Sequence, residues 1–131
     1  MTPSIRIATE SDTRFVRSSW HTSFWKVWAS KRVPWESYWP GQDRRIERLL
    51  KDSTVLVAYF EAVPDEVLGW ACFQNSVLHY AYVKAAYRRS GIASGLTASL
   101  SDKPYHSHPT NEVGRLFMSS IGAQFNPYLV E

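Results

Sequence analysis

The sequence predicts an α/β domain of the α+β kind: a mixed, mostly antiparallel central sheet flanked by helices, with elements in the order βααβββαβαβ. Three observations lead there. Three strand-like runs succeed one another between residues 53 and 83, separated only by turn residues. A long stretch with apolar residues at helical spacing precedes them, and strand-like and helix-like segments alternate after them. With 131 residues, 44% of them apolar and 21% charged, the chain reads as one domain over residues 1–131, without repeat, low-complexity tract or linker.

At the start of the chain, Ser4-Ile5-Arg6-Ile7-Ala8 alternates as a half-buried strand, and Ser11 or Asp12 can cap a helix beginning at Thr13. From Thr13 to Lys31, Phe15, Val16, Trp20, Phe24, Val27 and Trp28 recur at helical spacing. Pro34 and Pro40-Gly41 bracket Trp35-Glu36-Ser37-Tyr38-Trp39, which is expected to be non-helical or one short turn, before a second helix over Asp43–Lys51. Ser53–Phe60 is the strongest strand candidate; Pro64-Asp65-Glu66 turns it into Val67–Phe73, and Gln74-Asn75-Ser76 leads into Val77–Val83. A helix is expected from Gly91 to about Leu100, ended by Asp102, Lys103 and Pro104. Tyr105–His108 reads as a strand, Thr110-Asn111-Glu112 as the cap of a helix to about Ser120, and Phe125–Val130 as a closing strand.

The chemistry concentrates where the third of the consecutive strands runs through Tyr87-Arg88-Arg89-Ser90-Gly91-Ile92-Ala93-Ser94 into a helix. A helix start leaves backbone N–H groups unpaired and carries partial positive charge, so it favours an anion. Gly91 allows close approach of a ligand to the backbone, Arg88 and Arg89 add attraction, Ala93 keeps the next position small, and Gly95 is expected to let the helix pack tightly on the sheet. The stretch lacks the Gly-Lys-Ser/Thr of a P-loop and the Gly-x-Gly-x-x-Gly of a dinucleotide fold.

Arg88-Arg89-Ser90-Gly91-Ile92-Ala93 does match Arg/Gln-x-x-Gly-x-Gly/Ala, and it resembles the acyl-CoA pyrophosphate loop of the GNAT superfamily of N-acetyltransferases. Tyr82-Val83-Lys84-Ala85-Ala86-Tyr87 resembles the aromatic-Val-x-Pro-x-aromatic run that precedes that loop, with Ala85 in place of proline. Gly69-Trp70 and the full element order agree with the same family. The resemblance implies acetyl-CoA as acyl donor and direct transfer to a primary amine on a small molecule or peptide. It implies that the Val83 N–H faces the thioester with Tyr82 beside it, and that backbone N–H groups from Arg88 through Ser90, Gly91 and Ile92 to Ala93, with Ser94 adjoining, hold the pyrophosphate. It also implies a contribution from Asn111 to the coenzyme site, an acceptor wall built from the first two helices and their connection, and leaves room for a homodimer.

Transfer from a thioester to an amine calls for a proton acceptor and a proton donor. His79 is the titratable group on the strand before the loop with a reference pKa near 7, and simple alternation groups it with Val77, Ala81 and Val83, so it is the expected base; Glu61 and Glu66 are alternatives. For the acid, the family often carries a tyrosine where Asn111-Glu112-Val113-Gly114-Arg115-Leu116-Phe117-Met118 has Met118. A thioether donates no proton, which leaves solvent, Tyr80, Tyr82 or Ser119, or else a domain that binds CoA or a protein partner without catalysis.

Other classes are set aside on composition. Five tryptophans between Trp20 and Trp39 serve either the core or a substrate pocket. A net charge of +3 with scattered basic residues predicts no nucleic-acid binding, and the absence of a long apolar run predicts no membrane span. Without a signal-like start or a second cysteine beside Cys72, a cytoplasmic protein is expected. His106 and His108 share a strand face, yet no third ligand stands at a recognisable spacing, so no metal is expected.

Overall fold

The computed structural model describes residues 2–100 and 104–130. The elements are β1 Ser4–Ile7, α1 Thr13–Val27, α2 Trp35–Asp52, β2 Thr54–Tyr59, β3 Gly69–Gln74, β4 Val77–Val83, α3 Ile92–Leu96, β5 Tyr105–His106, α4 Glu112–Ser120 and β6 Gln124–Phe125, the predicted order. Among the described residues one six-stranded sheet runs β1-β2-β3-β4-β5-β6. Pairing is antiparallel from β1 to β4, and parallel from β4 to β5 and from β5 to β6.

Strand alternation divides the core into two layers. On one face Val16, Trp20 and Phe24 of α1 and Tyr38 and Ile46 of α2 pack on Val57, Trp70 and Cys72. On the other, Ile92 and Leu96 of α3 pack on Ala58, Leu68, Ala71 and Leu78. Trp20 stacks on Tyr80 with ring centroids 5.4 Å apart, and Trp70 donates to Ser19 Oγ at 2.8 Å, so a buried indole keeps its polar partner. Among the described residues no helix is long and apolar enough to cross a membrane.

Several boundaries differ from expectation, and the strand expected over Tyr105–His108 is only Tyr105–His106. The Trp35–Trp39 segment is not a loop: α2 begins at Trp35, directly after Pro34 in extended conformation, and runs through Pro40 to Asp52. A proline there removes one intrahelical hydrogen bond. Aromatic packing compensates: Tyr38 is buried with its hydroxyl donating to His21 O at 2.8 Å, and Trp25 meets both Trp35 and Tyr38 at about 5 Å. The first helix stops at Val27, with a single 3-10 turn over Ala29–Lys31. The third stops at Leu96 rather than Leu100, as Thr97 Oγ1 bonds Ala93 O and closes the turn; Asp102 and Lys103 lie outside the described residues. The closing strand is only Gln124–Phe125, because Pro127 starts a 3-10 turn.

Candidate active site

The site originates in one irregularity of β4. Its register with β3 pairs Cys72 with Tyr80 and Phe73 with Leu78, so His79 has no partner and forms a bulge. On the opposite edge, β4 pairs with β5 only at Val77 and Leu78, and the two strands separate beyond His79. Lys84 N donates to Leu68 O at 2.9 Å, on the β3 side. Because successive N–H groups of a strand point to opposite edges, the Val83 N–H is directed into the opening beside β5.

A cavity of about 290 Å³ fills this split. At the loop end, Arg88 and Ala93 contribute to its wall, and Arg88 Nε donates to Val83 O at 2.9 Å, tying the loop to the strand end. The α4 side contributes Asn111, Gly114, Phe117 and Met118, and the α1 side Ser23 and Val27. Ser23 Oγ and Tyr80 Oη lie 2.8 Å apart. Burial pushes the Tyr80 phenol up to about 12.

Of the expected binding residues, Tyr82, Val83, Arg88, Ala93 and Asn111 line the cavity together with His79. Arg89, Ser90, Gly91 and Ser94 lie at the exposed turn, and Ile92 is buried in the core, so only its backbone can reach a ligand. Two left-handed residues, Arg89 at φ 63° and Gly91 at φ 83°, shape the turn. Ser90 Oγ donates to Tyr87 O. The five-residue α3 supplies less dipole than the longer helix expected, which leaves the turn's backbone N–H groups and its arginines as the attractive elements. Gly95 is not a forced close approach, since a Cβ there would meet only Ile5 at an ordinary 3.7 Å. Asn111 caps α4, its Oδ1 accepting from Gly114 N at 2.9 Å.

His79, the expected base, lies in surroundings that disfavour its protonation. Its ring is 2% exposed, and burial holds its pKa down to about 4. The bulge takes it out of the alternation with Ala81 and Val83, and Nδ1 meets Ser107 Oγ at 2.8 Å, beside β5. Ser107 Oγ lies 3.2 Å from His108 Nδ1, and His108 Nε2 lies 3.1 Å from Gln42 Nε2. An amide nitrogen donates, so His108 accepts on Nε2 and carries its proton on Nδ1, which donates to Ser107. Ser107 then donates to His79 Nδ1, leaving the His79 proton on Nε2, which is buried and has no partner among the described residues. In this tautomer Nε2 carries the proton, and the buried ring is a weak base. The alternatives lie elsewhere: Glu61 accepts from Ser4, Glu66 pairs with Lys84, and neither lines the cavity. Met118 does line it, whereas Ser119 borders a different depression.

Ser23, Val27, Ser107, His108 and Phe117 were not legible as site residues. Ser23 carried no distinguishing signal, since Ser18, Ser19 and Thr22 are small polar residues of the same helix. No tryptophan is among the described residues lining this cavity: Trp20 is fully buried, and Trp35 and Trp39 are 44% and 43% exposed on α2. The described residues hold no cluster of three or more metal-ligating side chains.

This arrangement of strands and helices recurs among solved structures. The chain is similar to the apo form of YjaB from Escherichia coli, with TM-score 0.56, 17% identity, 75% of this chain and 63% of that one covered. The chain has the GNAT fold. It is also similar to the aminoglycoside 6'-N-acetyltransferase AAC(6')-Ih of Acinetobacter baumannii, with TM-score 0.54, 17% identity, and 92% and 90% covered. A phosphinothricin acetyltransferase of Sinorhizobium meliloti, solved with acetyl-CoA, gives TM-score 0.51, 21% identity, and 76% and 58% covered. The matched region spans less than two thirds of the YjaB and phosphinothricin acetyltransferase chains. No family model matches the sequence, and no curated protein does.

Proposed function

We propose that this GNAT-fold protein is an acetyl-CoA-dependent N-acetyltransferase that passes the acetyl group directly to a primary amine. The observation that carries the proposal is the cavity in the β4–β5 split, with the Arg88–Ala93 turn at one end and His79 among its lining residues. Acetyltransferases solved with acetyl-CoA, or with a CoA bisubstrate analogue, share the fold and support the choice of donor.

Acetyl-CoA supplies an activated thioester and a thiol leaving group. In this proposal the N–H groups of the Arg88–Ala93 turn hold the pyrophosphate, and the Val83 N–H polarises the carbonyl. His79 stands four residues, roughly 13 Å of strand, before Val83 and donates to the acceptor. The amine attacks in its neutral form and its proton leaves to solvent, because among the described residues no carboxylate lines the cavity. A thiolate with a pKa near 8.5 departs without an enzymic acid, so Met118 is compatible with turnover. We place the activity in the cytoplasm, where Cys72, buried and pushed up to about 12, stays an unreactive thiol.

Calorimetry with acetyl-CoA tests the coenzyme site. Gly91→Ala introduces only the left-handed strain, about 1 kcal/mol, whereas Gly91→Glu adds a negative charge beside the phosphates. At least tenfold weaker binding is expected for Gly91→Glu than for Gly91→Ala; equal affinity removes the phosphate cradle. Because Met118 lines the cavity without a hydroxyl, a catalytically silent CoA binder is the second reading, and release of free CoA across a panel of amines separates the two.

A further inference from the structure

The walls of the cavity also bear on which amine enters it. Its α1 side, at Ser23 and Val27, belongs to a segment whose charges have one sign: from Thr13 to Trp35 the chain has Arg14, Arg17, Lys26, Lys31 and Arg32 and no aspartate or glutamate. Arg17 is neutralised by Asp43 at 2.8 Å, and Arg32 is folded back onto Trp28. Lys26 and Lys31 are exposed and make no ion pair among the described residues. Lys26 comes three residues after Ser23 and so borders the face that lines the cavity. The remaining wall is apolar or neutral, with Tyr80, Tyr82, Phe117 and Met118, and its charged member is Arg88.

This positive setting, with no carboxylate among the described lining residues, has two consequences for an acceptor. An amine carrying several ammonium groups would lose water with no counter-charge to meet it. A single amine, in contrast, has its pKa lowered by neighbouring cations, which raises the neutral fraction able to attack when no enzymic base is present. A carboxylate on the same molecule gains from Lys26, and more weakly from Lys31 farther along the same segment.

Resting on the acetyl-transfer reading, we infer that the acceptor is a small primary amine bearing a carboxylate and an otherwise apolar body, an amino acid rather than a polyamine or an aminoglycoside. The matched pair L-phenylalanine and 2-phenylethylamine isolates the carboxylate; spermidine and kanamycin represent the polycations. Free-thiol release gives kcat/KM for each, with acetyl-CoA affinity measured in parallel by calorimetry. Phenylalanine is expected about tenfold above phenylethylamine, with both polycations lower still. Combining Lys26→Glu with Lys31→Glu is expected to shrink the phenylalanine advantage about three- to tenfold, through KM and not kcat, with acetyl-CoA affinity unchanged. Spermidine or kanamycin matching phenylalanine, an advantage untouched by the double variant, or acetyl-CoA binding with turnover of neither group each overturns the acceptor assignment and leaves the coenzyme site standing. Failure of acetyl-CoA to bind removes the parent reading and this one with it.

Discussion

His79 is neutral over the whole range in which an acetyltransferase would work, because burial puts its pKa near 4 and the Gln42–His108–Ser107 chain occupies its other nitrogen. A base of that strength lies far from the optimum for proton transfer near pH 7. The acidic limb of the pH profile therefore belongs to the acceptor amine, and log kcat/KM should rise with unit slope from about pH 6 toward the amine's own pKa. His79→Gln keeps an N–H donor and loses the titrating ring, so it should retain most of the acceptor KM, while His79→Ala raises that KM about tenfold. An inflection between pH 6 and 7 that disappears in both variants would restore His79 as the base. Residue identity and position on the strand before the loop were legible in the sequence; the bulge and burial that weaken the ring as a base were not. Periodicity assigns faces by counting twos, and one unpaired residue in a strand leaves no trace in that count.

At the scale of elements, β2, β3 and β4 could be read directly, since β-branched and aromatic runs between turn residues have few competing conformations. The start of α2 could not, because Pro40 and Gly41 carry strong local signals that long-range aromatic packing outweighs. Gly69 shows local and tertiary demands meeting. A Cβ there would stand 2.7 Å from Tyr82 O and 3.2 Å from Val83 Cα, both backbone atoms of the strand that aims its N–H into the split. Gly69→Ala should force β3 and β4 apart at that end and cost about 1–3 kcal/mol by urea denaturation. It should also weaken acetyl-CoA binding by more than the Asn111→Ala variant does, whose lost cap costs only about 1 kcal/mol. Equal effects on binding would mean that the strand end is not where the thioester lies.

For the molecule as a whole, two buried histidines, His79 and His108, are the sensitive feature. Burial lowers His79 to about 4 and His108, walled in by Trp20, Phe24 and Tyr80, to about 3. Both stay near 6.5 once unfolded. Below pH 6.5 the unfolded chain thus binds protons that the native one refuses, so stability falls as pH drops and recovers as it rises. His79 alone stands to lose roughly 3 kcal/mol by pH 4, a large share of a marginal total. Asp12 and Asp43, held below the usual carboxylate range by hydrogen bonds from Arg6 and His21, respectively, lose their contribution only below about pH 4, a separate window. The urea midpoint should therefore decline steadily between pH 6.5 and 4.5, before the carboxylates titrate. His108→Gln, which keeps hydrogen-bonding groups beside Gln42 and Ser107, should be less stable at pH 8 but show a visibly shallower decline. A flat midpoint from pH 7 to 5 in the unaltered protein would mean that these rings meet water or a counter-charge in the native state, and the tautomer chain that makes His79 a donor would lose its physical basis.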